Sequence, residues 1–157
     1  MNGQSDLRKL EQGRAEFAFK CASEGKQIRS KYQIDNFFYK DDKYASYVKK
    51  IPAMILSNGL GQTLAFIFSK RKKTSENNAP GTENNPKNAY DLIYKHLTDY
   101  LKSNTVARIN MPDDQNDLLE WVISLDSKNY RFVTQELIAF LTWVKRFAEG
   151  LTEEEDT

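Results

Sequence analysis

The sequence predicts an all-α protein, a compact single-domain bundle of about six helices with one mobile polar loop. Three observations carry this. Apolar residues recur at three- and four-residue spacing in segment after segment, the signature of one helical face turned to a core. Only seven Gly and four Pro punctuate 157 residues, too few for the many turns of an all-β fold. The single β-like stretch, 105–110, is too isolated to build a sheet. A length of 157 residues favours one domain, 1–157, with room for a core that needs neither disulfide nor metal.

The elements follow in order. The first helix is expected from about Ser5 to Ser23, capped by Ser5 or Asp6 and stopped by Gly25, with Leu7, Leu10, Phe17 and Cys21 on one stripe. Arg14 falls on that stripe. A cation there pairs with a buried acid, snorkels to the rim, or contacts a partner. Cys21, among Phe17, Ala18 and Ala22, reads as a small buried hydrophobe. Residues 26–40 are polar and aromatic, and Phe37, Phe38 and Tyr39 suggest an anchored loop. Asp41 or Asp42 then caps a helix over about 43–56, which Pro52 kinks or divides in two because it removes a backbone donor. Asn58-Gly59 supplies a left-handed exit. The next helix runs over about 60–72, with Leu64, Ile67 and Phe68 inward and cations on its last turn, where the helix dipole favours them.

Residues 74–86 (TSENNAPGTENNP) form a polar spacer without periodicity and are expected to be the mobile loop. A helix from Pro86 or Lys87 to Lys102 carries Tyr90, Ile93, Leu97 and Leu101 on its apolar face. Asp113 or Asp114 caps a helix over about 115–125, and Ser127 caps a final long one to about Gly150. That last helix is the best patterned. Tyr130, Val133, Leu137, Phe140, Leu141, Val144 and Ala148 face the core, while Arg131, Gln135, Thr142, Lys145, Arg146 and Glu149 lie opposite. Ile138 falls inside the polar stripe between Arg131 and Lys145, which marks it as a candidate subunit contact. The tail, 152–157, is acidic and expected to be disordered.

Chemistry is hard to find. One cysteine excludes an internal disulfide and any cysteine-based metal site, and one histidine, His96, supplies no metal triad. His96 reads as a surface or boundary residue and Asp113-Asp114 as helix caps. Gly59 and Gly61 follow a helix and lack the further glycines of a phosphate loop. No nucleophile with an adjacent base is visible, so neither enzyme activity nor any cofactor or metal is expected. No apolar run approaches membrane-spanning length, and a cytoplasmic protein is expected.

Charge is the stronger signal. The net charge of +1 hides an asymmetry: 15 Lys and Arg against 7 Asp and Glu up to Lys73, then 8 against 15 beyond it. Either the surface is bipolar, suiting head-to-tail packing, or the halves intermix and the field averages out. The block 47–73 contains Lys49, Lys50, Lys70, Arg71, Lys72 and Lys73 and no acid. Cations on a rigid helical scaffold can grip a phosphate backbone without reading sequence. The aromatics nearby, Tyr44, Tyr47 and Phe66, sit at core-like helical spacing rather than as stacking platforms.

Three segments resemble a known family: LEQGRAEFAFKCA at 10–22, YVKKIPAMILSNGLGQTLAF at 47–66 and YRFVTQELIAFLTWVKRFAEGL at 130–151. In this order they are similar to the small subunit of the type III-B CRISPR effector, the Cmr complex. The resemblance implies an all-helical, non-catalytic subunit, copies of which stack head to tail as a minor filament. Its implied partners are the backbone and large subunits, neighbouring copies of itself, the CRISPR RNA and a target single-stranded RNA, in antiviral defence. RNA cleavage would belong to the backbone subunit and cyclic-nucleotide synthesis to the large one. Physical reasoning nominates Arg14, Lys49, Lys50, Lys70, Arg71, Arg131, Lys145 and Arg146 as RNA contacts, with Lys72 and Lys73 weaker because they border the spacer. Two other classes stay open: a stand-alone helical adaptor for an acidic protein, and a hydrolase with an unrecognised site around His96 or Asp113.

Overall fold

The structure, a computed structural model, describes residues 3–28, 43–71, 85–103 and 109–155. These form seven α-helices and no strand: α1 (Gly3–Lys26), α2 (Tyr44–Val48), α3 (Ile51–Asn58), α4 (Leu60–Lys70), α5 (Ala89–Lys102), α6 (Leu118–Ile123) and α7 (Ser127–Glu155). The expected loop of Phe37, Phe38 and Tyr39, the Asp41 or Asp42 cap, Lys72, Lys73, nearly all of the 74–86 spacer and most of 105–110 lie outside the described residues. The all-α expectation holds, and the count of seven follows from Pro52. It occupies the first turn of α3, where a missing N–H costs nothing, so the expected 43–56 helix becomes α2 and α3.

Two long helices frame the molecule. α1 and α7 span about 36 and 43 Å at 1.5 Å per residue and pack along one another. Val133, Leu137, Phe140, Leu141, Val144 and Ala148 of α7 are buried as their spacing predicts. Phe17 of α1 meets Tyr100 of α5 and Phe140 of α7 edge-on at 5.3 and 6.0 Å. Tyr100 and Phe140 stack at 4.0 Å. Directly beside these rings, Glu136 accepts from Arg14 Nη2 at 2.8 Å and Nε at 3.3 Å, and from the Tyr100 hydroxyl. Three helices are therefore joined at one point by both apolar and charged contacts.

Glycine has two uses here. Gly59 sits at φ +88° between α3 and α4, the left-handed corner that Asn58-Gly59 predicts. Gly25 does not stop α1, which runs on to Lys26. Its missing Cβ makes room for the buried Tyr44 ring, which a methyl group at that position would overlap.

Other boundaries differ from expectation for local reasons. Asn88 caps α5 by accepting from Asp91 N–H at 2.9 Å. Asp117, rather than Asp113 or Asp114, caps α6 by accepting from Glu120 N–H at 3.0 Å. Tyr94 fixes that corner, donating to Asp117 at 2.6 Å and accepting from Leu119 N–H at 2.9 Å. Asp126, rather than Ser127, caps α7 through Asn129 N–H at 2.8 Å. α7 continues through Gly150 to Glu155, because nothing there requires a turn and a Cβ would meet open space. Phe68, expected inward, is exposed; the buried residues of α4 are Leu60, Thr63, Leu64 and Ile67.

His96 is the largest departure. It is 5% exposed, with Nδ1 2.7 Å from the buried Tyr44 hydroxyl. Burial raises the Tyr44 pKa, so the phenol keeps its proton and donates it to Nδ1, leaving Nε2–H toward Glu24 at 3.6 Å. Burial of His96 lowers its pKa, outweighing the opposing pull of Glu24. The folded imidazole stays neutral while the unfolded one charges near its ordinary 6.5. The unfolded state then binds more protons, so stability is present above that pH and falls as pH drops below it.

This packing makes stability depend on one absent methyl group and one neutral ring. Gly25→Ala lowers stability by about 1–3 kcal/mol through overpacking on Tyr44, read as a lower melting temperature; an unchanged melt contradicts the close approach. The melting temperature of the native chain drops between pH 7.5 and pH 5.5 by more than that of His96→Gln, which does not titrate; parallel drops would show that His96 is not the group responsible.

Candidate nucleic-acid interface

The described part of the acid-free block, 47–71, folds into a corner and two helices that put Lys49, Lys50 and Lys70 near two ends of an aromatic row. Lys49 and Lys50 form the turn between α2 and α3, pinned by Lys49 N–H to Ala45 O at 3.2 Å and Lys50 N–H to Tyr47 O at 3.1 Å. Val48 before them and Ile51 after them are buried, so both side chains are driven outward. Lys70 is the exposed last residue of α4, held there by its carbonyl, which accepts from Asn88 Nδ2 at 2.9 Å.

Three half-buried rings connect these points. Lys70 Nζ stands 5.6 Å from the centre of the Phe66 ring. Phe66 meets Tyr90 edge-on at 5.9 Å, and Tyr90 stacks on Tyr47 at 3.9 Å and 11°. Tyr47 is two residues from Lys49. Cations about twenty positions apart in sequence thus stand near the two ends of an aromatic row, Lys70 against Phe66 and the Lys49–Lys50 turn directly after the helix that carries Tyr47. Tyr44, the third aromatic noted in the sequence, is fully inside.

The remaining nominated cations divide. Arg71 is clamped between the Phe68 ring at 4.4 Å and the Tyr94 ring at 4.1 Å, with Asp91 at 3.9 Å. Its Nε is buried and makes no hydrogen bond. Arg71 therefore fastens the end of α4 to α5. Arg14 is engaged by Glu136; burial pulls its pKa down, but the Glu136 and Tyr100 hydrogen bonds more than offset that and leave it raised. Arg131 and Arg146 are exposed and Lys145 is half-exposed on α7. Arg146 shares a pocket of about 300 Å³ between α1 and α7 with Glu11, Arg14, Ala139, Thr142 and Trp143. Ile138 is half-buried and packs partly against the core.

Sequence reasoning misses Tyr90 and Trp143 as surface aromatics. Spacing places Tyr90 on the apolar face, and only the partner ring of Tyr47 from α2 turns it into part of a row. No group of three or more His, Cys, Asp or Glu among the described residues could hold a metal ion. Burial pushes the Cys21 thiol up, which makes it a poor nucleophile.

A sequence model of the family described as CRISPR-associated protein (Cas_Cmr5) matches residues 10–151. The chain belongs to this family. It is the family of the Cmr small subunit to which the three sequence segments pointed. The chain is 27% identical over 112 residues to the CRISPR system Cmr subunit Cmr5 of Thermus thermophilus, a match covering 71% of this chain and 77% of that protein. Its fold is similar to the crystal structure of a CRISPR-associated Cmr5 family protein, also from Thermus thermophilus, with a TM-score of 0.58 and 21% identity, covering 90% of this chain and 96% of that one. At that identity the likeness carries the helical architecture alone.

The two neighbouring cations at the end of α4 are expected to behave differently. Arg71→Ala destabilises the fold by about 1–2 kcal/mol, through two lost cation–π contacts in a desolvated setting, whereas Lys70→Ala leaves the melt within about 0.5 kcal/mol. Equal effects in chemical denaturation would remove the distinction between a clamp and a surface cation.

Proposed function

We propose that this Cmr5-family chain is a non-catalytic subunit of a type III-B Cmr ribonucleoprotein effector and that it grips the backbone of single-stranded RNA within that assembly. The observation that carries the RNA reading is the row from Lys70 through Phe66, Tyr90 and Tyr47 to the Lys49–Lys50 corner. Lysines neutralise phosphates and release counterions, while half-exposed rings accept bases by stacking without reading them. Base pairing in RNA-guided systems supplies sequence specificity, so a protein surface of this kind needs only shape and charge.

Arg131, Lys145 and Arg146 extend the proposed contacts along α7, while Arg14 and Arg71 hold the scaffold. The open part of Ile138 is the proposed contact for a neighbouring copy stacked against α7. The other proposed partners are the backbone and large subunits of the effector. No helix among the described residues is long and apolar enough to cross a membrane, which is compatible with the cytoplasmic location we propose.

Co-expression of this chain with the other effector subunits and a guide RNA, followed by native mass of the purified particle, tests the assembly reading. Several copies in an RNA-containing particle are expected; a complete particle lacking this chain overturns it. In that assembly, reversing Lys49, Lys50 and Lys70 to Glu weakens target-RNA retention and flattens the plot of log affinity against log salt by roughly 2, at about 0.7 per lost single-strand phosphate contact. An unchanged slope removes these three lysines from the interface.

A further inference from the structure

The pocket between α1 and α7 has a chemistry unlike that of the lysine surface. It measures about 300 Å³, at the small end of ligand cavities and large enough for one heterocyclic base. Its aromatic wall is Trp143, half-exposed and stacked on Phe147 at 5.5 Å and 24°. Phe147 is in turn braced edge-on by Phe19 at 5.3 Å. The indole is therefore a backed, positioned ring rather than a loose surface side chain.

The polar walls carry both signs of charge. Arg14 is held rigidly by Glu136, which takes up its charge but leaves N–H donors unused. That leaves Glu11 and Arg146, opposite charges lining one pocket, and neither forms an ion pair among the described residues. A carboxylate on the wall repels phosphate. A carboxylate from α1 and a guanidinium from α7 lining one cavity instead suit a neutral planar ligand, with N–H donors on one edge and oxygen or nitrogen acceptors on another. Guanine has both edges: N1–H and N2–H₂ for a carboxylate, O6 and N7 for a guanidinium. Uracil offers a single N–H donor between two acceptors, and adenine lacks the acceptor pair that Arg reads best.

We propose that this pocket is a guanine-selective nucleobase site, with the base stacked on Trp143, donating to Glu11 and accepting from Arg146. The nucleic-acid reading suggests the ligand class, but the site uses none of Lys49, Lys50 or Lys70. It gives the chain a point of base discrimination that a backbone-gripping surface cannot provide.

The test is the Trp143 indole N–H signal of the full ¹⁵N-labelled chain, assigned by its loss in Trp143→Phe, during titration with guanosine 5′-monophosphate. A saturable shift is expected, at least about tenfold weaker with uridine 5′-monophosphate and absent with inorganic phosphate. Glu11→Gln weakens the guanosine nucleotide about tenfold, in line with the loss of one good base-edge contact, and leaves the melting temperature unchanged because Glu11 is exposed. Equal shifts with all nucleotides, the same shift with phosphate alone, or no shift at millimolar nucleotide overturns the proposal. The two readings fail separately. RNA retention by the native chain with Trp143 unmoved removes only the pocket site, and a guanosine-specific shift without RNA retention removes only the lysine surface.

Discussion

The carboxylate of Glu136 is the constraint around which this bundle is arranged. It lies on the inward side of α7, largely removed from water, where an unpaired charge is prohibitive. Arg14 of α1 and Tyr100 of α5 are its hydrogen-bond partners, so the three helices share one mutual register at this point. The aromatic contacts of Phe17, Tyr100 and Phe140 lie against it and make the same demand through packing. Charge and apolar contact thus specify one arrangement twice. Burial raises the Tyr100 pKa, reinforced by its bond to Glu136, which keeps the phenol a donor. Once α1 and α7 are fixed in this register, the pocket beside Arg14 is fixed too, since the same guanidinium forms part of its wall.

α5 carries that order to the other side of the molecule. Tyr94, half a helix away from Tyr100, holds the entry to α6 through Asp117 and Leu119 and offers its ring face to Arg71. Tyr90, one turn earlier, stacks on Tyr47 and so docks α2. His96, between Tyr94 and Tyr100, accepts a hydrogen bond from the Tyr44 hydroxyl. A helix whose inward side includes two tyrosines and a histidine, with a third tyrosine at its edge, is held by directional contacts as well as by area, and this locates the ends of α2 and α4. The lysines of the candidate surface stand at those ends. Their placement depends on these contacts together with their own backbone hydrogen bonds.

What the sequence made legible was whatever depends on one segment alone. The α7 core face followed from spacing, Gly59 from its Asn-Gly pair, and the α2–α3 division from Pro52. What stayed hidden depends on a partner from elsewhere in the chain. Gly25 resembles a helix stop until Tyr44 is seen to occupy the space beside it. His96 resembles a boundary residue because a lone polar side chain on a helix gives no sign that Tyr44 and Glu24 will surround it. The caps fall one to four residues from their expected positions because acids at 113, 114, 117 and 126 are equivalent by type. Only Tyr94, bonding to Asp117, decides among the first three. The lysine corner was legible as charge, but the aromatic row that unites it with Lys70 needed Tyr90 from α5.

The opposed charges of the two halves illustrate how a linear signal becomes a spatial one. The first half is rich in cations and the second in acids, and the fold does not simply keep them apart. Arg14 meets Glu136 and Arg71 meets Asp91, each pair drawn across the halves and each partly withdrawn from water. Long-range pairing therefore consumes Arg14 and Arg71, whose planar guanidinium suits bidentate and stacked contacts in low dielectric, while Arg131 and Arg146 stay exposed on α7. The lysines at 49, 50 and 70, strongly hydrated point charges on flexible stems, remain at the surface. At the end of α4 the division follows side-chain chemistry rather than position: the helix ends in a lysine that faces solvent and is followed by an arginine held between two rings. The candidate surface is accordingly what the fold leaves over, among the described residues, after its own electrostatic needs are met, and that remainder is smaller and more localised than a count of charges along the chain suggests.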